Sequence, residues 1–355
     1  MVTAMAKEWI INKADRILIT GANGFVGSKV FEILLEYGFT KIRCLLRSDH
    51  NLNKLQQIAI SSKANVEFLK GDLLSKADCL KATKDVSVIY HLAIGSGGKS
   101  FANSFMHAVI PTRNLLEAAV QNKLLKRFVN ISSFAIYSNS NKPQKRLLDE
   151  LCPIDPHPEE RADAYAFAKL KQDEIVLDYS KKSGINYVIL LPGVVYGPGK
   201  KGIPGRVGID TFGIFMHLGG SNKVPLTYVD NCAKAIVLAG FIKGIDGEVF
   251  NIVDDDLPSS RRLLSLYKQN VKYFKSIFIP HALSYLLFYL WEKYSTFSEG
   301  QLPPVYCRKE WHAYWKKTAY SNEKLKGSLG WKMKVPTEEG LKRYFEYCRE
   351  GGEDA

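Results

Sequence analysis

The sequence predicts an α/β protein: a parallel, doubly wound sheet with a smaller, interleaved C-terminal part that holds substrate. Three observations predict it. Short apolar strands alternate with helical patterns up to about residue 198. The first strand, Ile17-Leu18-Ile19-Thr20, runs through a glycine turn into a helical pattern at Val30, Phe31, Leu34 and Leu35. Beyond Pro198 the rhythm breaks, with Lys200 to Asn222 glycine-rich and irregular and the last hundred residues reading as helices and loops. The expected division is 1–198 for dinucleotide binding and 199–355 mostly for substrate, with a soft boundary because Glu248 to Val253 reads as one more strand.

The glycine turn is Gly21-Ala22-Asn23-Gly24-Phe25-Val26-Gly27. Gly21 permits the tight turn, Gly24 lets the backbone approach a phosphate, and Gly27 lets the helix pack hard on the strand. Free N–H groups at the helix start then face a pyrophosphate, aided by the helix dipole. A glycine-rich turn with no ligand is the bland alternative, but the strand and helix lie on the correct sides for dinucleotide binding.

The first helix should end near Gly38, a natural C-cap. The second strand, Ile42 to Leu46, ends in Arg47-Ser48, where an adenosine ribose would lie. An acid there favours NAD and a base suits a 2′-phosphate. No carboxylate appears until Asp49, so the end of this strand leans towards NADP, although Arg47 stacking on adenine serves either cofactor. Val66 to Leu69 is the third strand, followed by Gly71-Asp72-Leu73, and Asp72 can serve as a helix N-cap. Val86 to Tyr90 is the fourth, followed by His91-Leu92-Ala93, where His91 reads as a buried, satisfied histidine. The loop Gly95 to Gly98 is placed to approach phosphate or substrate.

Phe101 to Gln121 reads as a long helix kinked at Pro111. The fifth strand, Arg127 to Ile131, ends in Ser132-Ser133, and a polar loop runs from Ser138 to Arg161. A helix then opens near Asp163 and carries Tyr165 and Lys169, four apart and hence on one face. A cation beside a phenol stabilises the phenolate and lowers its pKa, so Tyr165 can exchange a proton near neutral pH. Ser133, at a strand tip, can hydrogen-bond a substrate oxygen, and Lys169 can also hold the nicotinamide ribose. The sixth strand, Asn186 to Leu190, leads to Pro192-Gly193-Val194-Val195.

With TGANGFVG at 20–27 and YxxxK at 165–169 after a Ser-Ser strand end, the chain resembles the extended short-chain dehydrogenase/reductase superfamily. Within it, the chain is similar to the NAD-dependent epimerase/dehydratase family. The resemblance implies a Rossmann sheet and an NAD(P)-dependent oxidoreductase or epimerase, with hydride passing between nicotinamide and a secondary alcohol or ketone carbon. It further implies that Asp72 contacts the adenine edge, that Leu73 packs on it and that Ala93 lines the cofactor. The Pro192-Gly193 pair falls in family order, and Pro192, Gly193 and Val195 are expected to bind the cofactor beside it. The family's Asn-Val-x-Gly-Thr element is here Ala108-Val109-Ile110-Pro111-Thr112, so a role for its Asn does not transfer. Phe134 and Ala135 stand where the family's dehydratases place Asp-Glu, which argues against dehydration. Leu226 to Asn231 looks like the 3β-hydroxysteroid dehydrogenase side of the family. A sugar or nucleotide-sugar-type substrate is therefore expected first, with a lipophilic, steroid-like alcohol as the alternative. A non-catalytic dinucleotide sensor is a third reading, disfavoured because Ser133, Tyr165 and Lys169 are all retained.

The composition, 46% hydrophobic and 24% charged, is that of a globular chain. Six scattered cysteines form no CxxC pair, so neither zinc nor a disulfide framework is expected, and reduced cytoplasmic thiols fit best. The formal net charge of +13 is read as a generally basic surface, without a nucleic-acid partner, since no long Lys/Arg block exists. The N-terminus has no apolar core of a signal peptide. A homodimer acting on a small molecule is expected. The apolar run Ile277 to Trp291 is too short to span a bilayer. It is expected to lie mostly buried as two short pieces bent at Pro280, with Phe288 or Trp291 reaching the substrate mouth, and membrane contact is the less favoured reading.

Overall fold

The computed structural model describes residues 7–94, 100–139, 147–211, 213–299, 301–302 and 305–351. The expected loop Gly95 to Gly98 and part of the 138–161 loop lie outside the described residues. The strands are β1 (Ile17–Thr20), β2 (Lys41–Leu46), β3 (Asn65–Lys70), β4 (Val88–His91), β5 (Arg127–Ile131), β6 (Leu147–Leu148), β7 (Tyr187–Pro192), β8 (Val194–Tyr196), β9 (Gly208–Thr211), β10 (Ile214–His217), β11 (Leu226–Tyr228), β12 (Val249–Ile252), β13 (Ser276–Phe278) and β14 (Ala319–Tyr320). The helices are α1 (Phe25–Glu36), α2 (Leu52–Ser62), α3 (Lys76–Thr83), α4 (Phe101–Ser104), α5 (Ile110–Val120), α6 (Ala164–Ser183), α7 (Val229–Phe241), α8 (Ser260–Asn270), α9 (His281–Phe297), α10 (Arg308–Tyr314), α11 (Glu323–Leu329) and α12 (Thr337–Arg349).

Seven strands form one sheet in the order β12-β7-β5-β4-β1-β2-β3, every pair parallel. All four residues of β1 are buried, as a strand covered on both faces must be. The chain runs from β1 outward to β3, then returns to the other side at β4. That reversal opens a crevice at the carboxyl ends of β1 and β4, the position where open α/β sheets take ligands. β12, from beyond residue 198, pairs with β7 at Ile252 and Pro192, so the C-terminal half supplies an edge of the main sheet.

α7 packs so close beneath the sheet that a Cβ on Gly240 would overlap the Tyr90 hydroxyl. That hydroxyl donates to Val237 O at 2.8 Å, which satisfies a phenol buried in the core. α1 ends at Glu36, with Gly38 at φ +84° just beyond it, the left-handed turn that glycine allows.

The structure redraws three expected segments. The helix from Phe101 is α4, a wide turn over 105–109, then α5. Ile110 N–H reaches back five residues to Phe105 O, so the loosened spiral comes just before Pro111, which has no N–H to give. The stretch expected to be irregular, 200–222, contains the β9–β10 antiparallel pair, to which β13 adds in parallel. The run from Ile277 is not two buried pieces. Pro280 stands immediately before one unbroken helix, α9, where its missing N–H costs nothing. Of the large apolar side chains in α9, Phe288 is buried, while Leu283, Leu286, Leu287 and Leu290 are exposed. Phe288 packs on Trp315 and Tyr306, not at a substrate mouth. The reason is that, among the described residues, only the inner face of α9 is packed, on α10 and on Trp315 and Tyr306.

Candidate active site

One cleft of about 580 Å³ opens at the crevice, within the size of a small-ligand site. It is lined by Gly21, Asn23, Gly24, Phe25, Val26 and Gly27 of the glycine turn and by Arg47 and Ser48 from the end of β2. Asp72 and Leu73 follow β3, Ala93 follows β4, and Pro192, Gly193 and Val195 come from β7 and β8. Ser133, Tyr165 and Lys169 complete it. The site residues expected from the sequence therefore meet in one place.

The glycine turn is shaped by its own backbone. Gly21 has φ +74°, and a Cβ there would stand 2.9 Å from Ala93 N; a Cβ on Gly27 would overlap the Gly21 carbonyl oxygen. Gly24 differs, because its added Cβ would meet only Gly21 O, at 3.2 Å. Gly24 is also the N-cap of α1, with no side-chain cap and no acidic residue in the first turn. The N–H groups of α1 thus begin without a side-chain partner on the cleft wall, which fits the pyrophosphate of a dinucleotide. Asn23 ties this turn to the next loop: its amide donates to Ser48 O (3.3 Å) and His50 O (3.1 Å).

Arg47 is exposed at the end of β2. Asp49, the first carboxylate after β2, is engaged by Lys70 at 3.2 Å. Asp72 does not cap the next helix, contrary to one expectation. Ser75 does, accepting from Asp78 N–H, while Asp72 accepts from Leu74 N–H at 2.9 Å and its carboxylate stays on the cleft.

His91 lies buried with both ring nitrogens satisfied. Thr112 Oγ1 donates to Ala108 O at 2.8 Å, so it must accept from His91 Nε2 at 2.9 Å. His91 Nδ1 then accepts from Thr20 Oγ1 at 2.8 Å, and Thr20 accepts Ala93 N–H at 3.2 Å. Gln172 adds a second donor to Thr112 at 2.7 Å. Burial, with the Lys169 charge nearby, pushes the imidazole pKa down to about 3, so His91 is neutral and structural.

Tyr165 is 46% exposed towards the cleft, and its hydroxyl is hydrogen-bonded with Ser133. Ser133 also accepts Ala135 N–H at 3.1 Å, which fixes the turn after β5. One expectation changes here. The phenol pKa is raised, by desolvation first, and Lys169 does not lower it. Lys169 is turned inward, with Nζ donating to Ile131 O at 2.6 Å. Behind it lies Asp173, buried, accepting from Asn130 Nδ2 at 2.7 Å and from Ser132 Oγ. Burial pushes the Lys169 pKa down and the Asp173 pKa up, and each charge partly restores the other. Sequence reasoning missed Asp173, although its position four after Lys169 on the same helix is a readable signal. It also missed Lys200, whose Nζ lies 5.6 Å from the Phe25 ring at the cleft. Among the described residues, no group of His, Cys, Asp or Glu is placed to hold a metal ion.

A doubly wound sheet, an uncapped helix start at its switch point and a Ser–Tyr–Lys group on the same cleft define an enzyme that uses a nicotinamide dinucleotide. The chain matches the NAD dependent epimerase/dehydratase family over residues 17–252, and it belongs to that family. It is 25% identical over 349 residues to an Arabidopsis thaliana 3beta-hydroxysteroid-dehydrogenase/decarboxylase, covering 93% of this chain and 78% of that one. It is 28% identical over 255 residues to a trifunctional UDP-glucose 4,6-dehydratase/UDP-4-keto-6-deoxy-D-glucose 3,5-epimerase/UDP-4-keto-L-rhamnose-reductase of the same plant. That match takes in 68% of this chain but spans only 37% of the plant protein's length. Among solved structures, UDP-glucuronic acid 4-epimerase from Bacillus cereus, in complex with UDP-glucuronic acid and NAD, superposes with a TM-score of 0.67. The identity is 23%, over 94% of this chain and 99% of that one, so the likeness is one of fold.

Proposed function

We propose that the protein transfers hydride between a nicotinamide dinucleotide and a secondary alcohol or ketone carbon of a sugar or nucleotide-sugar-type substrate. The observation that carries this reading is the meeting of Ser133, Tyr165 and Lys169 beside the uncapped start of α1. Bound there, the dinucleotide supplies or accepts the hydride. Tyr165 moves the proton at the substrate oxygen, and Ser133 holds that oxygen by a hydrogen bond. Lys169 holds the nicotinamide ribose. Gly24 and the α1 N–H groups bind the pyrophosphate, and Asp72 and Leu73 take the adenine. The nucleotide-sugar enzymes among the relatives and fold neighbours support the substrate class. A homodimer acting on this small molecule in the cytoplasm, without nucleic acid, completes the reading. The test is nicotinamide absorbance or fluorescence in the presence of UDP-, dTDP- and GDP-sugars, together with chromatographic detection of inverted or oxidised sugar. Turnover of none of these, with turnover of a sterol alcohol, would give the place to the second reading. That reading is supported by the steroid-dehydrogenase relative, which matches most of the chain.

For the cofactor, NADP is proposed over NAD. Arg47 lies exposed on the cleft to meet a 2′-phosphate, and the first acid after β2, Asp49, is paired with Lys70. NADPH should bind more tightly than NADH in a fluorescence titration, and Arg47→Ala should narrow the gap. Tighter NADH binding by the unaltered protein would reverse the assignment.

A further inference from the structure

α9 carries apolar residues on two sides of the helix. The inner stripe is buried against α10, where Trp311 Nε1 donates to Ser284 Oγ at 2.9 Å and Phe288 meets Trp315. The outer stripe is Leu283, Leu286, Leu287, Leu290, Tyr294 and Phe297, each 45% or more exposed. Their spacing of three, four and seven residues places them on one helix face. Ile277 and Phe278, just before the helix, are also exposed. Clustered large apolar side chains of this kind mark a surface that something covers.

The surroundings are basic. Between residues 260 and 299 stand Arg261, Arg262, Lys268, Lys272, Lys275 and Lys293, against only two carboxylates, Glu292 and Glu299. Glu292 is held by Arg308 at 2.9 Å. Arg261 lies 5.5 Å from the Phe278 ring and Lys293 lies 5.8 Å from the Tyr289 ring, so cations edge the apolar area itself. Exposed Tyr273 and Tyr294 supply amphipathic rings of the kind that favour a headgroup boundary.

We propose that the outer face of α9 docks the protein on the surface of an anionic lipid bilayer. The helix lies in the plane of the membrane, its leucines enter the headgroup boundary, and the flanking Lys and Arg side chains meet lipid phosphates. The helix does not cross: it has 17 residues, including Glu292 and Lys293, and among the described residues no helix is long and apolar enough to span. A second copy of the chain is the poorer occupant, because a symmetric contact brings two basic rims together, whereas anionic lipid neutralises one. The inference rests on this surface and not on the reading of the cleft.

The test is co-sedimentation of the full chain with vesicles of phosphatidylcholine alone and of phosphatidylcholine with one-third phosphatidylglycerol. Strong binding to the anionic vesicles, weakened by salt, is expected. The double substitution Leu286→Glu with Leu290→Glu should weaken it roughly tenfold or more, since apolar insertion and attraction act together. A thermal melt and an NADPH titration check that this variant is folded. If it is not, Lys272→Glu with Lys275→Glu, both exposed, should weaken anionic binding instead. No binding to anionic vesicles overturns the proposal. So does equal binding by both folded variants, which would show only a generally basic surface. A concentration-dependent dimer that the leucine variant dissolves, without vesicle binding, would assign the face to a second copy.

Discussion

Strand β1 and helix α9 are both written in apolar residues, and they end in opposite places. Ile17, Leu18, Ile19 and Thr20 are all essentially inaccessible, while in α9 one apolar stripe is buried and the other faces out. The difference is in how many layers cover each element. β1 sits in mid-sheet, paired with β2 and β4 and covered on both faces, so every side chain finds a partner. Among the described residues, α9 packs its inner face on α10 and on Trp315 and Tyr306, while its outer leucines stay exposed. An apolar run therefore reports that burial is wanted, and the number of covering layers decides how much of it is met within the chain. In the sheet half the demand is fully met and positions a reactive site. In the tail half of it is left over.

The largest effects separate chemistry from stability. Tyr165→Phe removes one hydroxyl from a side chain half open to the cleft, so folding and cofactor binding should change little. Turnover on a confirmed substrate should fall roughly 10²–10⁴-fold, the usual worth of general acid–base catalysis. Unchanged turnover would take Tyr165 out of the mechanism. Phe288→Ala is the converse. It empties a packed position between Trp315 and Tyr306 and should cost about 3–5 kcal/mol in a denaturant melt, with NADPH affinity preserved. A small cost would mean that the inner face of α9 is as loosely held as the outer.

These two regions also differ in what their sequence discloses. The glycine turn and the Tyr165/Lys169 pair are local: spacing alone sets their geometry, and the parallel sheet follows from the repeated strand–helix alternation. The supports of the site are not local. Thr20, His91, Thr112 and Gln172 form one hydrogen-bonded chain drawn from four elements, and no spacing announces it. The upward shift of the Tyr165 pKa was equally hidden, since it depends on desolvation and on Lys169 turning towards Ile131 and Asp173. The exposure of α9 could not be read at all, because a periodic apolar pattern does not say whether a second layer exists.

A smaller effect is expected at Asp173, which does not itself line the cleft and acts through Lys169. Burial lowers the Lys169 pKa, and the Asp173 charge raises it in part. His91, whose imidazole feels the Lys169 charge, stays neutral, and Asn130 and Ser132 carry no charge. Asp173→Asn removes the raising influence, so Lys169 should lose its proton at lower pH. The alkaline limb of the kcat profile should then move down by roughly one pH unit, the shift typical of losing a close opposite charge. Asp173→Glu should restore part of it. A limb that stays in place in a folded Asn variant would leave Asp173 a packing residue only.

The smallest expected effect is at Leu287, and it bears most directly on the contrast between the two faces. Leu287 neighbours Phe288 in sequence, but points outward and is 47% exposed, against 6% for Phe288. Replacing it by Ser removes little buried apolar area, so the chain in solution should lose no more than about 0.5 kcal/mol, the range of ordinary surface substitutions. The readout is the denaturant midpoint at low protein concentration, compared with the Phe288→Ala variant in the same buffer. A loss near that of Phe288→Ala would show that the outer stripe is covered in solution, by a second copy or by a rearranged tail, and would remove the difference between the faces. A midpoint that stays put, with vesicle binding weakened in the same variant, would show that the leucine is retained for what it meets outside the fold.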